Sequence, residues 1–269
     1  MRTLLRIAIA VLAAAGGLAV LALLLQRRLL YFPERQEPAS ASRHAARLGL
    51  APVRDPAGAI AGWRAAHPSG RPLATAVVLH GNAGHALHRE YLAEVLRAPG
   101  VPALDVILLE YPGYGARPGS PTQASLVRAA VDAVDAAPAG PVLLVGESLG
   151  TAVAALAAAE RRERVTGLLL VTPLASVAAV GRRHYPVLPA LLVRDRFESA
   201  PALERYGGPA FFLVAGRDEV VFADLGLSLH GAYPGPKRLF VQERATHNAV
   251  RYDPADPMWR DAVAFLLGN

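Results

Sequence analysis

Short apolar segments alternate with helix-length segments along most of this chain. Six of them predict buried strands, at residues 74–81, 104–111, 141–146, 165–173, 209–216 and 237–244. Helical patterns lie between or after them, at residues 85–97, 123–136, 151–161, 222–232 and 258–267. Buried strands separated by helices are typical of a mainly parallel sheet with helices on both faces. Two further short runs, residues 50–53 and 60–65, predict an antiparallel edge, so the sequence predicts an α/β fold.

The N-terminal region has a different character. Residues 7–25 contain no charged or polar side chain. A helix of that length, at 1.5 Å per residue, spans about the hydrocarbon core of a bilayer. Arginines flank it on both sides, so we expect an uncleaved single-pass transmembrane anchor within residues 1–30, with the side of the membrane undecided. A cleavable signal peptide is the alternative, but cutting at the run of three alanines would leave a very short apolar region before the cut.

The chain after the predicted anchor divides into a linker and one main domain. After the anchor, residues 31–46 are polar and predict a juxtamembrane linker, and residues 47–269 predict the main domain, with a short cap segment at about 174–208.

The formal net charge is +6, but the arginines are scattered and form no basic run interleaved with aromatics, which argues against a nucleic-acid partner. The absence of cysteine excludes disulfides, cysteine-ligated metals and a thiol nucleophile.

One motif carries chemistry. Residues 142–160 read VLLVGESLGTAVAALAAAE, in which Gly146, Ser148 and Gly150 stand between a predicted strand and a predicted helix. At that position a G-x-S-x-G motif forms a sharp turn that exposes the serine hydroxyl at the carboxyl end of the sheet. A serine hydroxyl is a poor nucleophile near neutral pH, so it needs a base, and the base needs an orienting acid.

The acid and the base are predicted from chain order, which in this arrangement is serine, acid, histidine. Asp218 comes at the carboxyl end of the fifth predicted strand; Glu219 and Asp224 are weaker candidates because they lie further into the next helix. His247 follows the sixth strand and is the one histidine of eight with the right order and the right loop. The sequence therefore predicts a triad of Ser148, His247 and Asp218.

An oxyanion hole is also expected, because N–H donors that face the developing negative charge accelerate acyl transfer about a hundredfold to a thousandfold. The backbone amide of Leu149 is one predicted donor. The amide of Asn82 is the other, since it lies in the glycine-rich segment HGNAG directly after the first predicted strand. This chemistry requires no metal and no cofactor.

A resemblance to a known family rests on seven segments, namely YFPER, VVLHGNAG, LLEYPGYG, GESLGTAVA, LLLVTPLAS, RRHYPVLPALLVRDRFES and GRDEVV. They resemble the α/β-hydrolase fold family, in particular the ABHD and Bem46-like membrane-anchored serine hydrolases. The resemblance covers nearly the whole chain after the anchor, and it implies a serine hydrolase with the triad and oxyanion donors named above. Thr246 stands where these proteins usually have glycine and Phe222 where proline is common, and both substitutions affect loop geometry.

The expected reaction is cleavage of carboxylic esters or thioesters, of acyl lipids or acylated substrates, through an acyl-enzyme. Leu188 and Leu191 lie in the apolar stretch YPVLPALLV, where they could contact an acyl chain or simply pack onto the sheet. Tyr111 could border the site or serve in packing, and Asp195 is expected to form a structural ion pair. A serine peptidase or amidase on the same triad is the alternative, and a non-catalytic membrane scaffold is a further one.

Overall fold

The computed structural model describes residue 6 and residues 16–17, 25–185 and 192–268. The predicted transmembrane segment, residues 7–25, lies outside these ranges except for three residues. In the part of the chain that the structure describes, no helix combines the length and the apolar character needed to cross a bilayer.

A mixed sheet forms the centre of the described chain. Its strands are β2 (Ala51–Arg54), β3 (Ile60–Ala65), β4 (Ala74–Leu79), β6 (Leu104–Leu109), β7 (Val142–Glu147), β8 (Val165–Val171), β9 (Ala210–Ala215) and β10 (Lys237–Gln242), and the pair β1 (Phe32–Pro33) and β5 (Ala83–Gly84) stands apart from it. Within the described ranges the order is β10-β9-β8-β7-β4-β6-β3-β2. The strands from β10 to β6 are parallel, while β3 pairs antiparallel with β6 and β2 with β3. The predicted parallel sheet with an antiparallel edge is confirmed.

Helices cover both faces of this sheet. They are α1 (Pro38–Arg47), α2 (Glu90–Val95), α3 (Gln123–Ala136), α4 (Leu149–Glu160), α5 (Val177–His184), α6 (Ser199–Tyr206), α7 (Ala223–Ala232) and α8 (Pro257–Leu267), with a 3₁₀ turn at Ala86–Arg89. Helices α3, α4, α6 and α7 share one core, and α1, α2 and α8 share the other. Successive strand residues face opposite sides, so Leu144 enters the first core while Leu143 and Val145 enter the second.

The predicted linker is largely structured. Strand β1 pairs in parallel with β5, and nine of the ten residues of α1 fall in the segment predicted to be a polar linker. Ala41 and Ala45 are buried one helical turn apart, and Glu37 caps the helix by accepting the N–H groups of Ala39 and Ser40. Two alanines make a narrow apolar face, which the surrounding Pro, Ser and Arg residues concealed in the sequence.

The helix predicted at residues 85–97 is also divided. A 3₁₀ turn comes first and the six-residue α2 follows, and Arg89, the last residue of the turn, has a non-helical conformation (φ −113°, ψ 22°) that separates the two. Arg89, at this break, bonds Glu147, the residue before the predicted nucleophile.

Candidate active site

The turn between β7 and α4 holds Ser148 in a strained conformation. Its φ of 54° and ψ of −119° lie outside the regions that non-glycine residues prefer, and such a residue costs about 1–3 kcal/mol. A Cβ at Gly146 would come within 2.5 Å of the Gly150 carbonyl oxygen, and a Cβ at Gly150 would overlap the carbonyl oxygen of Leu79. Backbone packing therefore requires both glycines of the motif, and we call residues 146–150 the elbow.

His247 lies between Ser148 and Asp218. Its Nε2 is 3.1 Å from the Ser148 hydroxyl oxygen, and its Nδ1 is 2.8 Å from Oδ2 of Asp218. The other carboxylate oxygen accepts hydrogen bonds of 2.9 Å from the N–H groups of Val220 and Val221. The structure thus brings together the three residues predicted from chain order, at the carboxyl ends of β7, β9 and β10.

The Asp218 carboxyl group favours its ionised form. Burial by itself would raise its pKa, but the hydrogen bond and the charge of His247, together with the two backbone amides, outweigh burial and hold the pKa below its usual range. An ionised carboxylate only accepts hydrogen bonds, so it selects the imidazole tautomer with the proton on Nδ1. Nε2 is then free to accept the serine proton.

The loop after β4 lies directly against the serine. A Cβ at Gly81 would be 3.5 Å from the Ser148 Cβ. In the next residue, Asn82, the side-chain amide donates to the Leu30 carbonyl, and the backbone carbonyl accepts from the Phe32 N–H and the Tyr114 hydroxyl. The Asn82 backbone N–H has no hydrogen-bond acceptor among the described residues, so this donor remains available to a ligand.

Leu149, the second predicted donor, is the first residue of α4. The first N–H groups of an α-helix have no acceptor within the helix, and they lie at the positive end of its dipole. Both amides thus belong to residues adjacent to the serine or to the loop that packs on it.

A polar network that the sequence pattern did not predict supports the elbow. Glu147 accepts hydrogen bonds from Arg89 Nε at 2.5 Å, from the Tyr91 hydroxyl at 2.7 Å and from the Tyr252 hydroxyl at 2.8 Å. Arg89 ends the 3₁₀ turn, Tyr91 lies in α2, and Tyr252 lies in the segment that follows His247. The one sequence signal was an acidic residue inside the G-x-S-x-G motif, which does not reveal its partners.

A buried titratable pair lies under the loop that carries Asn82. Burial raises the pKa of Glu110 to about 7, although its carboxyl accepts the Ala86 N–H at 3.0 Å. Burial also lowers the pKa of His80 to about 3, and its Nε2 is 3.8 Å from Oε1 of Glu110. Both side chains are almost wholly inaccessible to solvent.

The predicted substrate contacts have different outcomes. Tyr111 is fully buried, with its ring centroid 4.2 Å from that of His80. In this structure it therefore packs against the start of the loop that carries Asn82. A contact between Tyr111 and substrate stays a prediction.

Leu188 and Leu191 lie outside the described residues. Asp195 pairs with Arg27 at 2.9 Å and accepts the Tyr31 hydroxyl at 3.1 Å, which confirms its structural ion pair.

Comparison with known proteins identifies the family. A family model described as the alpha/beta hydrolase fold matches residues 76–194. An uncharacterised protein of Mycobacterium tuberculosis is 36% identical over 233 residues, which cover 83% of this chain and 80% of that protein. The chain belongs to the α/β-hydrolase family. It is a hydrolase.

Other similar proteins agree with this assignment. Protein bem46 of Schizosaccharomyces pombe is 27% identical over 192 residues, which cover 67% of this chain and 63% of bem46, and this confirms the resemblance to Bem46. An esterase of Pyrococcus furiosus aligns with a TM-score of 0.63 at 16% identity, covering 89% of this chain and 97% of its own. A monoacylglycerol lipase of Paleococcus ferrophilus aligns with a TM-score of 0.54 at 20% identity, covering 78% and 99%. At these identities the two structures show the shared fold.

Proposed function

We propose that this hydrolase cleaves carboxylic esters or thioesters of acyl substrates through a serine nucleophile. The observation that carries the proposal is the hydrogen-bonded chain from Ser148 through His247 to Asp218. Both distances are within the range in which a base accepts the proton of a nucleophile and an acid orients that base.

The reaction proceeds in two halves on this geometry. Ser148 Oγ attacks the acyl carbonyl while His247 Nε2 takes its proton, and Asp218 stabilises the imidazolium that forms. His247 then returns the proton to the departing alcohol or thiol, which leaves an acyl group on the serine. Water attacks the acyl-enzyme with His247 again as the base, and the acid product is released.

The oxyanion donors in this proposal are the backbone amides of Asn82 and Leu149. Negative charge develops on the acyl oxygen during each attack, and donors already in place accelerate the step without reorganisation. The loop that carries Asn82 packs against the serine through Gly81, and its side chain and carbonyl are engaged elsewhere. These contacts leave the backbone N–H as the group of Asn82 that serves the reaction.

Acyl lipids are the substrate class that we propose. Two proteins with the same fold are named an esterase and a monoacylglycerol lipase. We further propose that residues 1–30 anchor the chain in a membrane and that residues 47–269 form the hydrolase domain, with a cap at about 174–208. An anchored domain meets its substrates at the bilayer surface, and Leu188 and Leu191 of the cap would contact the acyl chain.

Labelling with a fluorophosphonate probe tests the nucleophile. The wild-type protein and the control Ser228→Ala, which removes an exposed hydroxyl from α7, should both be labelled. The Ser148→Ala variant should not be labelled. Labelling that persists in Ser148→Ala would overturn the proposal.

Substrate class is tested with the same variants. Rates on p-nitrophenyl esters should rise with acyl length from acetate to dodecanoate, and they should fall to the background rate in Ser148→Ala. A rate that does not rise beyond short acyl chains would reject the lipid assignment while leaving an esterase. Preference for a p-nitroanilide over the matching ester would instead favour an amidase.

A further inference from the structure

A second group of chemically competent side chains lies beside the oxyanion loop, outside the triad. Glu34, His85 and His88 each offer one ligand atom, and these atoms all lie within 4.8 Å of one another. Oε1 of Glu34 is 3.9 Å from Nε2 of His85, and the two imidazole rings have centroids 3.6 Å apart. We call these three residues the His85 cluster.

The fold brings the cluster together through two local structures. Strand β1 pairs with β5, and the Glu34 N–H donates to the Gly84 carbonyl at 3.0 Å, so Glu34 lies next to His85. The 3₁₀ turn follows, and in such a turn side chains three residues apart lie on the same side. His85 and His88 are therefore adjacent. Gly84 has a φ of +84°, and a Cβ there would come within 2.7 Å of His88 Nδ1, so the glycine makes room for the second ring.

His85 itself points to a ligand. Its side chain is about 1% exposed, yet neither ring nitrogen has a hydrogen-bond partner in the described part of the chain. A buried polar atom without a partner is costly, and such atoms are uncommon in native proteins. A bond from one imidazole nitrogen to a metal ion removes that cost for the nitrogen that binds.

We propose that the His85 cluster binds one divalent transition-metal ion, with Zn²⁺ the best match. Two imidazole nitrogens and one carboxylate oxygen form a ligand set that Zn²⁺ accepts, with a fourth position for water. Ligand atoms about 2.0–2.2 Å from a tetrahedral ion are roughly 3.3 Å apart. Closing the cluster to that distance requires rotation of Glu34 and His88, and both are exposed.

The position of this site indicates its role. It would clamp β1 to β5 immediately after Asn82, and it would therefore stabilise the loop that carries the oxyanion donor. The nearby Arg89 does not oppose binding as a free charge, because its guanidinium pairs with Glu147 at 2.5 Å. The cluster shares no residue with Ser148, His247 or Asp218, so the proposed site does not depend on the proposed reaction.

Metal titration of the full-length protein in detergent, after chelator treatment, tests the site. Calorimetry with ZnCl₂ and visible absorption with CoCl₂ should show one ion per chain, and the ion should raise the melting temperature. The Ser148→Ala variant should behave identically, so the result is independent of catalysis. His67→Ala, which removes a half-buried histidine that bonds Ser69 and lies outside the cluster, serves as the matched control and should bind as the wild type does.

The informative variants are His88→Ala and Glu34→Ala, because both residues are exposed and their loss should leave the fold intact. Each should weaken Zn²⁺ binding at least tenfold and reduce the rise in melting temperature at a given Zn²⁺ concentration. Absence of saturable binding by the wild type would overturn the proposal. Binding of equal affinity in His88→Ala and Glu34→Ala would also overturn it, because the ion would then lie elsewhere.

Discussion

The two halves of the candidate active site are built in different ways. The nucleophile half consists of contiguous residues, and its shape comes from backbone atoms that leave no room for a Cβ at Gly146 or Gly150. The acid–base half joins Asp218 to His247, 29 residues later, and places the pair against a serine 99 residues before His247. Hydrogen bonds and charge hold that half together. A short motif can therefore encode steric strain, whereas a proton relay needs the whole sheet to bring its members together.

Because of this difference, substitutions in the two halves should have different effects on stability and activity. Changes in the elbow should reduce stability and activity together, because the same backbone contacts support both. Changes in the acid–base half should reduce activity while the free energy of unfolding changes little.

The largest expected effect is on the acid–base half. Asp218→Asn keeps the shape of the side chain but permits the wrong imidazole tautomer, and kcat for a p-nitrophenyl ester should fall about 10³- to 10⁴-fold. The free energy of unfolding in urea should change by less than about 1 kcal/mol. Glu219→Gln, at the exposed neighbouring carboxylate, should retain activity. A variant Asp218→Asn with more than a tenth of the wild-type kcat would refute the role of this acid.

The next largest effect concerns the elbow. Gly150→Ala places a methyl group on the Leu79 carbonyl oxygen, so we expect the free energy of unfolding to fall by roughly 3 kcal/mol or more, with loss of activity. Gly181→Ala is the matched control, because that glycine is also helical and nothing lies within 4 Å of the added carbon. Urea unfolding and ester hydrolysis of both variants give the comparison. Similar stability and activity in Gly150→Ala and Gly181→Ala would mean that the backbone around the elbow can shift to accommodate the added methyl group.

A third prediction concerns the buried Glu110–His80 pair under the loop that carries Asn82, and its dependence on pH. Burial raises the pKa of Glu110 from 4.5 to about 7, so between these values the unfolded chain is ionised while the folded protein holds a proton. Raising the pH through this window therefore lowers wild-type stability, by at most about 1.4 kcal/mol per pH unit from this group. His80 acts in the opposite direction between pH 6.5 and about 3, because its folded pKa is lowered.

The variant Glu110→Gln isolates the contribution of the carboxyl group. Its free energy of unfolding should rise relative to that of the wild type as the pH increases from about 4.5 to 7, and the difference should be constant above that range. Urea unfolding of the wild type and of Glu110→Gln at a series of pH values measures this difference. Parallel curves for the two proteins would show that burial does not hold a proton on Glu110.

The smallest effect is expected where the two halves are joined. Tyr252→Phe removes a hydrogen bond to Glu147 but keeps the ring beside Tyr91 and stacked on Trp259. We expect a loss of about 1 kcal/mol in the free energy of unfolding and a modest decrease in kcat, since His247 lies only a few residues earlier. Tyr185→Phe, at an exposed ring, should change neither. Abolished activity in Tyr252→Phe would contradict this prediction. It would show that the hydrogen bond to Glu147 couples the elbow strongly to the segment that carries His247.

Much of the architecture was predictable because its signals are local. Apolar runs separated by helical patterns depend only on neighbouring residues, and they determined the sheet, its edge and the helical layers. The elbow could also be predicted, since its glycines and Ser148 are contiguous. Asp218 and His247 were predictable from chain order, because the carboxyl ends of parallel strands meet at one edge.

Other features depended on contacts between residues far apart in sequence. Helix α1 is stabilised by burying two alanines against the sheet, and nothing in a polar segment reveals such a partner. The partners of Glu147, the burial of Tyr111 and the meeting of Glu34 with His85 follow from strand register and side-chain packing. Periodicity and motif spacing therefore determined the fold and the order of the triad, whereas only the tertiary structure decided which polar groups share one environment, because that depends on distances across the sheet.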